Sequence, residues 1–75
     1  MRQLVEYIAK SLVDNPDQVQ IREVEGEQSI ILELHVAPDD MGRIIGKQGH
    51  IARSIRVLLK AAAARQGKRA MLEII

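Results

Sequence analysis

The stretch that decides the fold reads Gly42-Arg43-Ile44-Ile45-Gly46-Lys47-Gln48-Gly49-His50-Ile51. It begins in a short predicted helix, about 39–45, and ends in a longer one, about 50–65, so the tetrad Gly46–Gly49 connects two helices. Glycines let one backbone approach another closely, and the free amides that open a helix attract phosphate. The tetrad, with Lys47 as a mobile cation, is therefore the candidate site for a polyanionic chain.

Hydrophobic periodicity predicts the elements that precede this stretch. Residues 2–14 are predicted to form an amphipathic helix with an apolar stripe that ends before Pro16. Residues 18–25 are predicted to form a strand with a bulge or an early end near Glu23, because Val24 is out of phase. Residues 29–36 form a second strand, joined to the first by a tight turn as an antiparallel hairpin. The predicted stripe of the helix is Leu4, Val5, Ile8 and Leu12, and the buried face of the second strand is Ile30, Leu32, Leu34 and Val36.

The elements after the hairpin complete the order. Pro38 suits the first turn of a helix, and an aspartate, Asp39 or Asp40, is expected to cap that helix. Gly67 is expected to end the long helix, and residues 69–75 form the last strand. The predicted inner stripe of the long helix is Ile51, Ile55, Leu58, Leu59 and Ala62.

Length and composition limit the class of protein. A chain of 75 residues without cysteine is expected to be one domain, 1–75, with neither disulfides nor a thiolate metal site. It shows no signal peptide and no membrane-spanning stretch, which favours the cytoplasm. The order α-β-β-α-α-β predicts an α+β fold with a three-stranded sheet and helices packed on one face.

The charge is distributed unevenly along the chain. Residues 1–40 carry three basic and nine acidic residues, whereas residues 41–75 carry eight basic residues against Glu73, although the net charge is only +1. This asymmetry suggests a polyanion as partner for the second half. The alternative is that the two halves neutralise each other across the fold.

The tetrad has three alternative interpretations besides binding of a phosphate backbone: a P-loop, a dinucleotide-binding loop and an ordinary tight turn. A P-loop needs four residues between its first glycine and its Gly-Lys, followed by Ser or Thr, but only three residues lie between Gly42 and Gly46, and Gln48 follows Lys47. A dinucleotide-binding fingerprint would follow a strand rather than a helix. An ordinary tight turn remains the alternative, and the surrounding order of elements is what favours the functional interpretation.

The quoted stretch resembles the KH signature, in which an apolar pair leads into GxxG between two helices. With its N-terminal α-β extension the whole chain resembles a type II KH domain, and at this length the stand-alone bacterial KH proteins of the KhpA type. The resemblance implies a non-catalytic, cytoplasmic protein that binds single-stranded RNA, a probable RNA chaperone. It also implies pairing with itself or with KhpB, a larger KH protein, and a link to cell-wall homeostasis and cell-length control.

The resemblance implies a groove for about four nucleotides with the GxxG loop clamping their backbone. The strand 29–36 is expected to offer edge groups to the bases, and the long helix is the candidate dimer surface. No catalytic residue, metal ligand, cofactor or small-molecule substrate is expected. A protein-interaction adaptor with a vestigial loop is the alternative function. The predicted RNA-binding residues are Arg43, Ile45, Gly46, Lys47, Gln48, Gly49, His50, Arg53 and Arg56.

Overall fold

The computed structural model describes residues 1–75, and its elements follow the predicted order. They are α1 (Arg2–Leu12), β1 (Gln20–Glu25), β2 (Ser29–His35), α2 (Met41–Ile45), α3 (His50–Ala64) and β3 (Arg69–Ile74). Three short 3₁₀ turns, Pro16–Gln18, Pro38–Asp40 and Lys47–Gly49, lie between them. The predicted α+β class and the three-stranded sheet are confirmed. No helix combines the length and the apolar character needed to cross a membrane.

The first two strands form the predicted antiparallel hairpin. Their register is continuous from Gln20 opposite His35 to Glu25 opposite Ile30, so the predicted bulge or early end near Glu23 is wrong. Val24 breaks the apolar alternation for another reason. It lies opposite Ile31, on the face of the sheet that the helices do not cover, and is half exposed.

The third strand determines which strand lies at the centre of the sheet. The strand order is β1-β2-β3, and β3 pairs with β2 in parallel, from Ser29 opposite Arg69 to Leu34 opposite Ile74. Strand β2 is therefore central, with its backbone groups hydrogen-bonded to strands on both sides. The prediction that residues 29–36 offer edge groups to bases is wrong, because β3 is the strand with a free edge beside α3.

The core lies between the sheet and the three helices. The predicted buried face is confirmed, since Ile30, Leu32 and Leu34 of β2 and Val36, directly after the strand, are all buried. Helices α1, α2 and α3 cover this face with Val5, Ile44 and Leu59, each at most 1% exposed. Such close packing makes truncation of one of these larger side chains cost about 2–5 kcal/mol.

Two leucines of the predicted helix stripes lie outside the core. Leu4 and Leu58 are 41% and 51% exposed. Alanines fill the adjacent inner positions instead, because a small side chain lets a helix lie close to its neighbours. The buried alanines of α1 and α3 are Ala9, Ala52 and Ala63.

Asp40 has a different role from the predicted helix cap. Its side chain is 1% exposed and makes no capping hydrogen bond to α2. It accepts hydrogen bonds from the Asp14 amide at 3.0 Å, the Asn15 amide at 3.1 Å and the Asn15 side-chain Nδ2 at 3.0 Å. These hydrogen bonds hold the connection between α1 and β1 against the start of α2. The bond from the Asp14 amide is the main cause that holds the pKa of Asp40 below its ordinary 3.8, against the opposing effect of burial.

Candidate nucleic-acid interface

The backbone of the tetrad adopts conformations that glycine permits. Helix α2 ends where the Gly46 amide donates to the Gly42 carbonyl at 2.9 Å, and Gly46 then has φ 75° and ψ 177°. Gly49 has φ 76° directly before α3, and between the glycines Gln48 also has a positive φ, 56°. These left-handed residues turn the chain sharply between the two helices and present Lys47 and Gln48 at the tip.

The tip of the loop is open to a ligand. Lys47 and Gln48 are exposed. The Gly49 amide donates to the Gly46 carbonyl at 3.2 Å, whereas the amides of Lys47 and Gln48 take part in no turn or loop hydrogen bond. A β-carbon built on Gly49 would meet nothing within 4 Å, so another backbone has room to approach there. The junction therefore has the free amides and the open surface that phosphate binding requires.

A groove runs beside α3 on the side that faces β3. Arg56 and Lys60 line it from the helix. Arg53, three residues before Arg56, borders a separate hollow with Ser54, Val57 and Leu58, and all three basic side chains are exposed. The groove has a volume of about 240 Å³, and a second hollow of about 560 Å³ adjoins it at Lys60 and Met71. The first is lined by Arg56, Leu59, Lys60, Ala70, Met71 and Leu72. The second adds Ser29, Lys68 and Arg69.

The free edge of β3 supplies backbone groups to this groove. The amides of Arg69 and Ile75 donate to the Gln28 and Leu34 carbonyls, each at 2.9 Å, on the side of β2. Because backbone groups alternate sides along a strand, those of Ala70 and Leu72 point away from β2. One of them already has a partner, since the Leu72 carbonyl accepts hydrogen bonds from Arg56.

The structure brings most of the predicted site residues to one surface. Ile45 is 38% exposed beside the loop, and His50 is the exposed first residue of α3. Arg53 follows one turn later, so the basic side of α3 continues directly from the loop. Arg43 differs from the others because its guanidinium binds the Asp14 carboxylate at 3.0 Å, toward the α1–β1 connection.

Ion pairs neutralise only a small part of the basic second half. Two of its eight basic residues, Arg43 and Lys68, bind acidic residues of the first half, Asp14 and Glu25. The hydrogen bond and charge of Lys68 lower the pKa of Glu25. The remaining six form no salt bridge and leave a positive field around the loop and the groove. They are Lys47, Arg53, Arg56, Lys60, Arg65 and Arg69.

The β3 side of the groove, from Lys68 to Leu72, is a part of the site that the sequence patterns do not predict. The basic pair Lys68-Arg69 at the start of the strand was the only available signal. Strand order places these residues beside α3, and strand order cannot be deduced from periodicity. No group of three or more His, Cys, Asp or Glu side chains is arranged to hold a metal ion.

A three-stranded α+β fold whose two adjacent helices are joined by an exposed GxxG loop is a KH-type domain. The model of the KhpA/KhpB KH domain matches residues 2–74. The chain therefore belongs to the KhpA/KhpB family of KH domains.

Relatives that bear the name RNA-binding protein KhpA match this chain along its length. One from Clostridium acetobutylicum is 67% identical over 75 residues, covering 100% of both chains. One from Caldanaerobacter subterraneus is 61% identical with the same coverage. One from Aquifex aeolicus is 48% identical, covering 100% of this chain and 95% of the relative. No solved structure matches the chain.

Proposed function

We propose that this chain is a non-catalytic protein that binds single-stranded RNA and clamps its backbone with the Gly46–Gly49 loop. The observation that carries the proposal is the exposed tip of the loop, where the amides of Lys47 and Gln48 lack turn partners at the start of α3. The name of its relatives, RNA-binding protein, supports the choice of RNA as the polyanion.

The proposed path of the strand begins at the loop and continues along the groove. Phosphates lie against the loop amides, Lys47 and Arg53, while bases face the groove between α3 and the edge of β3. The groove is bordered by the side of one helix and one strand edge, which suits unpaired bases. The proposed contact residues are Arg43, Ile45, Gly46, Lys47, Gln48, Gly49, His50, Arg53 and Arg56, to which we add Lys60 and Arg69 because they line the groove and the adjoining hollow.

Binding by one copy is expected to be weak and sensitive to salt. The chain has no Phe or Trp, and its single tyrosine, Tyr7, lies on α1. Stacking platforms worth about 1–3 kcal/mol per base are therefore missing, and phosphate contacts dominate the affinity. Weak, exchangeable contacts suit an RNA chaperone or post-transcriptional regulator, and they favour the use of several linked sites.

An exposed apolar surface on the outer side of α3 suits such an assembly. A hollow of about 400 Å³ is lined by Leu4, Leu58, Ala61, Ala62, Arg65 and Gln66, with Val57 exposed nearby. We propose it as the contact with a second copy or with a larger KhpB-like protein. The same surface supports the second candidate function, a protein-interaction adaptor. Cytoplasmic location and the link to cell-wall homeostasis and cell length stay predictions of the family resemblance.

Replacing Lys47 and Gln48 by two aspartates tests the proposed function. Two negative charges at the tip repel phosphate, so binding of single-stranded RNA measured by fluorescence anisotropy is expected to disappear. The matched control is Arg2→Asp with Gln3→Asp, which makes the same change of charge at two adjacent exposed positions of α1. Equal RNA affinity of the loop variant and the control variant, with both folded, would contradict the proposal and favour the adaptor.

A further inference from the structure

Arg56 differs from the other basic residues of α3 because it is held in place. Its Nε and Nη2 donate to the carbonyl oxygen of Leu72 at 3.4 and 3.3 Å. Neither Arg53 nor Lys60 has a side-chain hydrogen bond or an ion pair. A guanidinium has five N–H groups, so about three of them stay free in the groove that Arg56 lines.

This contact changes the hydrogen-bonding character of the groove. The Leu72 carbonyl on the free edge of β3 would otherwise accept from the amino group of a base. With Arg56 bound to it, the groove presents a charged set of donors at that position instead. A base with two neighbouring acceptors therefore fits better than a base that offers an amino donor.

We infer that Arg56 selects the base at the nucleotide beside Leu72 and that it selects guanine. Guanine offers O6 and N7 as neighbouring acceptors, the pair that an arginine fork contacts most often. In a single strand this edge is not hidden in a deep groove, so a side chain can reach it. Arg53 and Lys60, which are exposed and form no side-chain hydrogen bond or ion pair, contact phosphates. The inference rests on the proposed RNA binding and adds base selection to it.

Base analogues test the inference on the unaltered protein. The probes are fluorescently labelled oligouridylate and the same strand with one central guanosine, inosine or 7-deazaguanosine. Inosine keeps O6 and N7, whereas 7-deazaguanosine lacks N7. Guanosine and inosine are expected to strengthen binding about 5-fold or more, and 7-deazaguanosine is expected to lose most of that gain. Equal binding of guanosine and 7-deazaguanosine would overturn the inference.

Variants separate base selection from phosphate contact. Arg56→Lys keeps the charge but lacks the fork, so it is expected to lose the preference for guanosine over 7-deazaguanosine. Arg53→Ala, the control, is expected to weaken binding to all strands equally and keep the preference. A uniform loss in Arg56→Lys would make Arg56 a phosphate contact and overturn the inference. If the unaltered protein binds none of these strands, the proposed function itself is refuted.

Discussion

A β-carbon built on Gly46 would lie 2.6 Å from Cγ1 of Ile51. The Ile51 side chain therefore fills the space that any other residue at position 46 would need. Gly46 also has φ 75° and ψ 177°, a region that is almost closed to other residues. Gly49, in contrast, has an open position for a β-carbon and needs glycine only for its φ of 76°. Gly46 thus lets the loop pack closely against Ile51 of α3, whereas Gly49 leaves the surface of the loop open.

This difference predicts unequal effects of alanine at the two positions. Gly46→Ala combines backbone strain with a steric clash and is expected to lower the free energy of unfolding by about 3 kcal/mol or more. Gly49→Ala adds strain alone, about 1–2 kcal/mol, and is expected to keep the fold. Urea denaturation followed by circular dichroism measures both. Similar losses in the two variants would show that the contact with Ile51 is not what restricts position 46.

The buried carboxylate of Asp40 predicts a pH-dependent stability. Its folded-state pKa is lowered, chiefly by the hydrogen bond from the Asp14 amide, so the charged form stabilises the fold fully above the ordinary pKa of 3.8. This contribution is lost as the pH falls below 3.8 toward the folded-state pKa. Asp40→Asn is therefore expected to be less stable than the unaltered protein at pH 7, with a smaller difference at pH 3.

Thermal unfolding at both pH values measures the effect of Asp40→Asn. The exposed neighbour Asp39 provides the control, since Asp39→Asn changes the same charge without removing those hydrogen bonds. If Asp40→Asn lowers the unfolding temperature equally at pH 3 and at pH 7, the loss of stability comes from the shape of the side chain rather than from its charge.

Features that depend on residues close together in the chain can be predicted from the sequence, whereas features that depend on distant residues cannot. The buried face of β2 and the helix end at Gly67, with φ 69° and a bond from the Lys68 amide to the Ala63 carbonyl, are local features and were predicted correctly. The role of Asp40 was missed because its partners lie 25 and 26 residues away. The free edge of β3 depends on strand order, which local patterns do not contain.

Two adjacent leucines of α3 test the proposed dimer surface. Leu58 is 51% exposed beside the apolar hollow, whereas Leu59 is 1% exposed in the core. Leu58→Glu is expected to keep the fold and convert a dimer to a monomer, because it places a charge in the apolar contact. Leu59→Glu is expected to unfold the chain. Sedimentation measures the mass in solution, and circular dichroism shows whether the chain is folded. If Leu58→Glu is folded and keeps the mass of the unaltered protein, this surface is not the dimer contact.

The ion pair between Arg43 and Asp14 predicts a competition with RNA. Their side chains, 3.0 Å apart at the closest atoms, are more than half exposed, so the pair adds only about 0–1 kcal/mol to stability. The same guanidinium lies on the helix that leads into the loop, and a phosphate there must compete with the Asp14 carboxylate. Asp14→Asn is therefore expected to tighten RNA binding about 2–5-fold at low salt, with little change in stability.

A control is needed because removing any negative charge strengthens binding to a polyanion. Asp17→Asn removes the same charge from an exposed site nearby that has no ion pair with Arg43. Its effect on RNA affinity is expected to be smaller, and the gain from Asp14→Asn is expected to disappear when Arg43 is also changed to Ala. Screening should reduce the gain as salt rises. Equal gains in RNA affinity for Asp14→Asn and Asp17→Asn would mean that Arg43 does not contact the RNA. Arg43 would then no longer count among the proposed contact residues.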